Sequence, residues 1–268
     1  MKQRAEVGVF GGSGFYTFAE NSVGTSVTTP FGTPSARIAI STIAGRKVAF
    51  LPRHGQSHQF PPHMVPYRAN VYAFKHIGVT RIVGPNATGS LKSELAPGDI
   101  VFCDQFVNFT SGRKDTFYDG PETTHVSAAD PYCPELRETA IECAGRLGLR
   151  FHRSGTVVVV QGPRFSSRAE SRFFRAQGWD VINMTQYPEV ILARELELCY
   201  LNISLVTDYD VGLEGDPNVT PVSHEEVVKV FNKSMKSLKD LIVDIVKNLP
   251  TNRGCSCGQS LEHARLSS

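Results

Sequence analysis

The chain alternates short apolar runs with longer segments whose apolar residues recur every three or four positions. The runs are typical of buried strands and the longer segments of amphipathic helices. Strands are predicted at 6–10, 37–42, 47–51, 81–84, 99–106, 156–160, 180–184 and 199–206, and helices at 66–77, 134–147, 168–177, 188–198 and 223–249. This alternation predicts an α/β fold with a mixed, largely parallel sheet flanked by helices.

No internal repeat and no linker rich in Pro, Gly or Ser divides the chain, so we expect one domain over residues 1–250. The polar segment 251–268 follows it and is predicted to be a loosely ordered tail.

Composition narrows the possible partners. The chain has 268 residues, of which 41% are hydrophobic and 20% charged, as in an ordinary globular protein. A net charge of +2 gives no reason to expect nucleic acid or an anionic membrane as a partner. The apolar runs are too short to cross a bilayer, and the first residues show no signal sequence. We therefore expect a cytoplasmic protein.

Six cysteines are present. Four lie in or next to predicted helices and strands at irregular spacing, which is typical of buried reduced thiols: Cys103, Cys133, Cys143 and Cys199. Cys255, Cys257 and His263 are three candidate ligands in the tail, one fewer than a tetrahedral zinc site needs. We therefore expect no metal site, with plain thiols or a readily reduced Cys255–Cys257 pair as the alternatives.

Three predicted strands end in segments suited to a small anion. The glycine run 11–14 contains Ser13 and can direct backbone N–H groups at a phosphate, although it matches neither a dinucleotide fingerprint nor a P-loop. Arg53 offers a rigid fork of donors and His54 a further donor. The third segment, 86–90, contains Ala87. Each alone is equally typical of a turn or surface, but together they predict an anion site at the strand ends.

Two later strands end in residues suited to a nucleoside. Met184 can pack against a sugar and Thr185 can hydrogen-bond a phosphate or hydroxyl, although core packing also explains Met184. Asp208 and Asp210 follow strand 199–206 and can face one edge of a ligand. A buried carboxyl can stay protonated and donate to purine N7, while a second carboxylate accepts from a 6-amino group. Two solvated acids in a turn are the alternative.

A series of short motifs occurs in unbroken order between residues 8 and 210. They include Gly11-Gly12-Ser13-Gly14-Phe15-Tyr16, Pro52-Arg53-His54-Gly55, Gly89-Ser90-Leu91, Gly162-Pro163-Arg164-Phe165-Ser166-Ser167, Asn183-Met184-Thr185 and Thr207-Asp208-Tyr209-Asp210. In these motifs the chain resembles the 5′-methylthioadenosine phosphorylases, a branch of the trimeric purine nucleoside phosphorylases.

The resemblance implies a role for each of several residues. The implied phosphate ligands are Ser13, Arg53, His54, Ala87 and Thr185. The implied nucleoside contacts are Phe165, Met184, Asp208, Asp210 and, from a neighbouring subunit, His125. It also implies a homotrimer or a dimer of trimers.

The implied reaction is phosphorolysis of 5′-methylthioadenosine to adenine and 5-methylthioribose 1-phosphate, with Asp208 and His54 as catalytic residues. Inorganic phosphate is the co-substrate, and no cofactor is expected. The main alternative is a purine nucleoside phosphorylase of broader or 6-oxopurine specificity, although related 6-oxopurine enzymes carry Asn at the position of Asp208. A hydrolase and a catalytically silent nucleoside-binding protein are further alternatives.

Details of the pocket are expected to differ from the family pattern. Asn86 stands where a small hydroxyl residue is expected, and Gln186-Tyr187 replaces a smaller, more apolar pair, so we expect altered phosphate geometry and an altered sugar pocket. The methylthio group is expected against three apolar residues near the start of the last helix: Val222, Val227 and Val228.

Overall fold

The computed structural model describes residues 4–11, 23–211 and 221–265. Its strands are β1 Val7–Gly11, β2 Val23–Thr25, β3 Ile38–Ile43, β4 Arg46–Pro52, β5 Arg81–Ser90, β6 Ile100–Val101, β7 Gln105–Phe109, β8 Phe151–His152, β9 Thr156–Val160, β10 Val181–Asn183 and β11 Cys199–Asp208. Its α-helices are α1 Tyr67–His76, α2 Pro134–Arg146, α3 Arg168–Ala176, α4 Gln186–Glu195 and α5 His224–Asn248. Short 3₁₀ helices occupy Pro62–Met64 and Ser256–Gln259.

All these strands belong to one mixed sheet in which β2-β3-β4-β1-β5-β10-β9-β7 are successive neighbours. β11 pairs with the other edge of β5 and continues the sheet to β6 and β8. The pairs of β1 with β4, β5 with β1 and β11, and β9 with β7 and β10 are all parallel. The predicted mixed, largely parallel α/β sheet is confirmed.

The sheet branches along β5. Its first residues pair with β1, whereas Gly89 and Ser90 at its end pair with β10. β11 accompanies β5 on its opposite edge along almost its whole length. Because β5 exchanges one partner for another, the ends of β1 and β10 leave a gap between them. Strand ends that diverge in this way form the usual ligand crevice of α/β sheets.

Helices cover both faces of the sheet, which explains why its central strands are apolar throughout. On one face α1 and α4 contribute residues such as Phe74 and Leu192 to the core. On the other face α2 and α5 contribute Leu136 and Ile245. Ser223 caps α5, because its side chain accepts a hydrogen bond from the backbone N–H of Glu226.

Three sequence-based predictions were wrong in detail. The single strand predicted at 99–106 is two short strands, β6 and β7, which pair with different neighbours. The strand predicted at 81–84 continues to Ser90, because the small residues 87–90 extend the ladder with β11 and β10 instead of forming a turn.

The third concerns the tail, which is packed and not loosely ordered up to Arg265. Arg253 donates a 2.8 Å hydrogen bond to the carbonyl of Glu197. Cys257 and Ala264 are buried. Within the described ranges, no helix combines the length and the apolar character needed to span a membrane.

Candidate active site

A cavity of about 430 Å³ lies where the sheet branches. Five parts of the chain line it: the segment after β4, the second half of β5, and the segments at the ends of β9, β10 and β11. The first two turns of α5 complete the wall. Two of the three strand ends predicted to hold phosphate, and both of those predicted to hold a nucleoside, therefore meet in one cavity. The third, the glycine run 11–14, lies beyond Gly11 outside the described residues.

Arg53, which lines one end of this cavity, belongs to a buried ion pair. Arg53 donates from Nε and Nη2 to the two carboxylate oxygens of Glu189, at 2.5 and 2.9 Å, and from Nη1 to the carbonyl of Pro85 at 3.1 Å. Burial alone would lower the pKa of Arg53, but the adjacent Glu189 carboxylate outweighs it and raises that pKa above its ordinary value. Arg53 thus stays charged, and its terminal nitrogens keep further N–H groups for a ligand.

Glu189 is fully buried and also accepts a 2.9 Å hydrogen bond from Tyr200. From the sequence it could be read as a dipole-stabilising acid near a helix start. Its actual partner lies 136 residues away in the chain.

His54 follows Arg53 on the cavity wall. Its Nδ1 lies 2.8 Å from the carbonyl oxygen of Phe60, and its ring stacks on that of His58. Burial and then the charge of Arg53 lower the pKa of His54 to about 4, so the ring is neutral at pH 7. A carbonyl only accepts, so the ring proton is on Nδ1 and Nε2 is an acceptor. This differs from the donor role predicted for His54.

Two buried amides supply donors to the cavity. Asn86 and Asn183 both line it, and their Nδ2 groups have no hydrogen-bond partner among the described residues. Their oxygens are engaged, because Asn86 Oδ1 accepts from Thr88 and Ser204, and Asn183 Oδ1 accepts from the backbone of Thr185. An unpaired buried N–H group is costly, so both amides are suited to bind a ligand.

The remaining implied phosphate ligands divide into two groups. Ala87 lies on β5 and Thr185 at the start of α4, and both line the cavity. Thr185 directly precedes α4 and makes no side-chain capping bond, so its hydroxyl is available to a ligand. Ser13 lies outside the described residues.

Asp208 lies at the end of β11 with its carboxylate held at both oxygens. Oδ2 accepts a 2.7 Å hydrogen bond from the Thr207 hydroxyl, and Oδ1 a 2.8 Å bond from the backbone N–H of Asp210. Burial raises the pKa of Asp208 to about 6, although these two hydrogen bonds oppose the shift. Asp208 is therefore a carboxyl group that can carry a proton near neutral pH.

A β-bulge brings both acids to the cavity. Val206 pairs with Thr88 and Asp208 with Gly89, so Thr207 is an extra residue on β11. Asp210 follows with a φ of 54°, and its pKa is raised by burial. A Cβ on Gly89 would lie 2.9 Å from Asp208 Oδ1, so a larger residue at this position would displace the carboxylate.

The rest of the wall is largely apolar. Met184 and Phe165 line the cavity, as do Val227 and Val228 from α5. Phe231, which was not predicted as a site residue, lies one helical turn further along α5 and also lines the cavity. Its spacing from Val227 and Val228 on one helix face is the signal that could have found it.

Other predicted residues lie outside the cavity. His125 is exposed and is not part of the wall formed by its own chain. Val222 instead donates its backbone N–H to the carbonyl of Asp210 at 2.7 Å. Gln186 is fully buried and accepts from Tyr132, while Tyr187 donates to Asp115. Neither Gln186 nor Tyr187 lies on the cavity wall formed by the described residues, so their effect on the sugar pocket stays a prediction.

Comparison with known proteins identifies the family to which this chain belongs. The family model described as the phosphorylase superfamily matches residues 6–247. The chain belongs to the phosphorylase superfamily. Among phosphorylases, it is 48% identical over 266 residues to S-methyl-5′-thioadenosine phosphorylase from Thermofilum pendens, covering 98% of this chain and 100% of the relative.

Two further phosphorylases are similar over nearly the whole chain. The chain is 47% identical to a purine nucleoside phosphorylase from Streptomyces coelicolor, covering 97% of this chain and 95% of the relative. The solved structure of methylthioadenosine phosphorylase from Schistosoma mansoni in complex with adenine superposes with a TM-score of 0.90 at 34% identity, covering 98% of this chain and 99% of that one.

Proposed function

We propose that this phosphorylase cleaves 5′-methylthioadenosine with inorganic phosphate, yielding adenine and 5-methylthioribose 1-phosphate. The observation that carries the proposal is the convergence of a charged arginine and a protonatable carboxyl group in one cavity. Relatives named as methylthioadenosine phosphorylases, similar over nearly the whole chain, support the choice of substrate.

Phosphate binds at the Arg53 end in this proposal. The spare N–H groups of Arg53, the Nδ2 group of Asn86 and the hydroxyl of Thr185 donate to its oxygens, with Ser13 and Ala87 as further ligands. Charge-assisted donors of this kind suit an anion. His54 Nε2 accepts the hydrogen of monohydrogen phosphate, which leaves the attacking oxygen unprotonated. Arg53 and these donors supply the electrostatic stabilisation, so the proposed reaction uses phosphate as co-substrate and no cofactor.

The base binds at the Asp208 end. Protonated Asp208 donates to N7 of adenine, so the departing base does not accumulate negative charge, and Asp210 accepts from the 6-amino group. Proton donation to a leaving group typically contributes about 10²–10⁴-fold in rate. C1′ of the sugar, held over Met184, gains positive character as the bond to the base lengthens, and phosphate captures it from the opposite side. Phe165 packs against the purine ring.

The 5′ substituent faces the first turns of α5. Val227, Val228 and Phe231 give this wall an apolar surface, which suits a methylthio group better than a hydroxyl.

A second candidate function is a purine nucleoside phosphorylase with broader or 6-oxopurine specificity. The 47% identity with the Streptomyces coelicolor relative of that name favours it. The buried acids oppose the 6-oxo form, because an ionised carboxylate opposite a carbonyl pairs two acceptors. Such a mismatch costs about 1–3 kcal/mol for a buried group.

The proposal includes a homotrimer, alone or as a dimer of trimers, acting in the cytoplasm. His125 is exposed on its own chain and absent from its own cavity wall, which suits a residue that reaches the nucleoside of a neighbouring subunit. None of the six cysteines is in a disulfide bond, which agrees with a reducing compartment.

The test is incubation with methylthioadenosine, adenosine and inosine, each with and without phosphate. We expect release of adenine from methylthioadenosine that depends on phosphate, with a lower kcat/KM for adenosine and the lowest for inosine. Base release independent of phosphate would indicate a hydrolase. Nucleoside binding without base release would indicate a silent binding protein, and preferred cleavage of inosine the second candidate function.

A further inference from the structure

Four cysteine side chains from three distant parts of the chain converge at one point. Cys133 is the N-cap residue of α2, and Cys199 begins β11. Cys255 and Cys257 belong to the tail, at its short 3₁₀ helix. All four sulfur atoms lie within 4.8 Å of one another, and none is in a disulfide bond.

We propose that these four cysteines bind a structural Zn²⁺ ion as thiolates. A tetrahedral Zn²⁺ ion with Zn–S bonds of about 2.3 Å holds its sulfur ligands about 3.8 Å apart. The observed separations suit this arrangement, since the Cys199 and Cys255 sulfurs are 3.4 Å apart and no pair exceeds 4.8 Å. On binding, the four S–H protons are released to solvent and four Zn–S bonds form.

The type and number of the ligands indicate which ion and which role. Soft thiolate ligands in a tetrahedral set favour Zn²⁺ over hard ions such as Mg²⁺ or Ca²⁺. Four protein ligands leave no open position for water or substrate, which is typical of a structural site. Cys199 and Asp208 are at opposite ends of β11, roughly 30 Å apart at about 3.3 Å per residue. The ion would therefore take no part in the proposed phosphorolysis.

Two neighbouring groups favour negative charge near Cys133 and Cys257. Cys133 Sγ accepts a hydrogen bond from the backbone N–H of Leu136 at the positive end of α2, at 3.4 Å. The guanidinium of Arg253 lies against Gly258, next to Cys257, where a Cβ would be 2.6 Å from Nη2. Its Nη1 is fixed by the carbonyl of Glu197 at 2.8 Å. Outer hydrogen bonds and a nearby cation of this kind support a bound metal–thiolate group.

The ion would fix the tail against the body of the protein. Beyond the cysteines, the carbonyl of Ala264 accepts a 2.8 Å hydrogen bond from the backbone N–H of His125. Arg265 forms an isolated antiparallel β-bridge with Thr124, and its side chain forms an ion pair with Glu122 at 3.3 Å. The metal site would thus fix the tail, and the tail in turn would hold the segment that carries His125.

The site was not predictable from the tail alone, where His263 is the third candidate ligand. The two further ligands, Cys133 and Cys199, lie far from the tail in the sequence, so no short spacing motif connects them with it. His263 is exposed and is not among the four clustered residues.

The experiment measures the metal content of full-length protein purified under reducing conditions without chelators, by elemental mass spectrometry. We expect one zinc per chain in the wild type and in Cys143→Ser, which removes a buried thiol from the same helix α2 but outside the cluster. Cys199→Ser and Cys257→Ser should each lose most of the zinc. The wild type loaded with Co²⁺ should show the visible absorption of tetrahedral cobalt thiolate, which keeps the test independent of variant folding.

Several results would overturn the proposal. One is wild-type protein that holds no stoichiometric zinc and binds no Co²⁺ after reduction. Another is an intact mass lower by four hydrogens without reductant and no metal, which would mean two disulfides. Stoichiometric iron would overturn the zinc assignment, and equal zinc in Cys143→Ser and Cys257→Ser would overturn the ligand assignment.

Discussion

Replacing Asp208 by Asn tests how the cavity selects its purine. The structure supports the exchange, because Asn can keep Oδ1 as acceptor for the Asp210 N–H at 2.8 Å while Nδ2 takes the place of Oδ2 beside Thr207. The amide still donates a hydrogen bond but cannot transfer a proton to N7. At the same edge of the base, the amide can also donate to the 6-oxo oxygen next to N7, which an ionised Asp208 carboxylate would repel.

This change has two effects on kcat/KM. Loss of the proton donor should lower kcat/KM for methylthioadenosine by about 10²–10⁴-fold. Removing one acceptor–acceptor contact is worth about 1–3 kcal/mol, which is about 5- to 150-fold in favour of the 6-oxopurine nucleoside. The ratio of kcat/KM for methylthioadenosine to that for methylthioinosine should therefore fall by at least the second factor.

The assay is phosphorolysis of the two nucleosides at saturating phosphate, by wild type, Asp208→Asn and Asp130→Asn. Asp130 is an exposed residue away from the cavity and controls for the loss of one negative charge. An unchanged ratio in Asp208→Asn, with a folded protein and normal phosphate affinity, would refute the assignment of Asp208 to the base.

Three further predictions concern the same cavity. Arg53→Met removes a phosphate ligand and leaves Glu189 buried without its partner. It should therefore raise the KM for phosphate and lower the free energy of unfolding by about 3–5 kcal/mol. Adding Glu189→Gln should restore stability, measured by urea denaturation, without restoring phosphate binding. Gly89→Ala should lower kcat, because the added Cβ displaces the Asp208 carboxylate. The control is Gly145→Ala on α2, where no atom lies within 4 Å of the added Cβ. This control should leave kcat unchanged and raise the free energy of unfolding by up to about 1 kcal/mol. The pH profile of kcat/KM for the nucleoside should fall above about pH 6 as Asp208 loses its proton, and a flat profile to pH 8 would contradict that role.

The sequence predicted the elements well where their signals are local. Apolar runs identified β9 and β11 because each is buried on both faces, and the three- to four-residue spacing of apolar side chains identified α5. The course of β5 was not predictable in this way. Residues 87–90 have the composition of a turn and stay in the strand only because β10 and β11 pair with them.

The site shows the same limit. Family motifs brought Arg53, Asp208 and Asp210 into one hypothesis, and the structure places all three in one cavity. The partner of Arg53 could not be read from the sequence, because the Arg53–Glu189 pair depends on how the β4 end packs against α4. The acceptor state of His54 likewise follows from its contact with the Phe60 carbonyl.

The most direct test of the account is a crystal structure with phosphate and an unreactive methylthioadenosine analogue bound together. We predict phosphate on Arg53, the purine N7 beside Asp208, and a phosphate oxygen about 3–3.5 Å from C1′ on the face opposite the base. Phosphate and nucleoside in separate cavities, or a purine turned away from Asp208, would contradict the account.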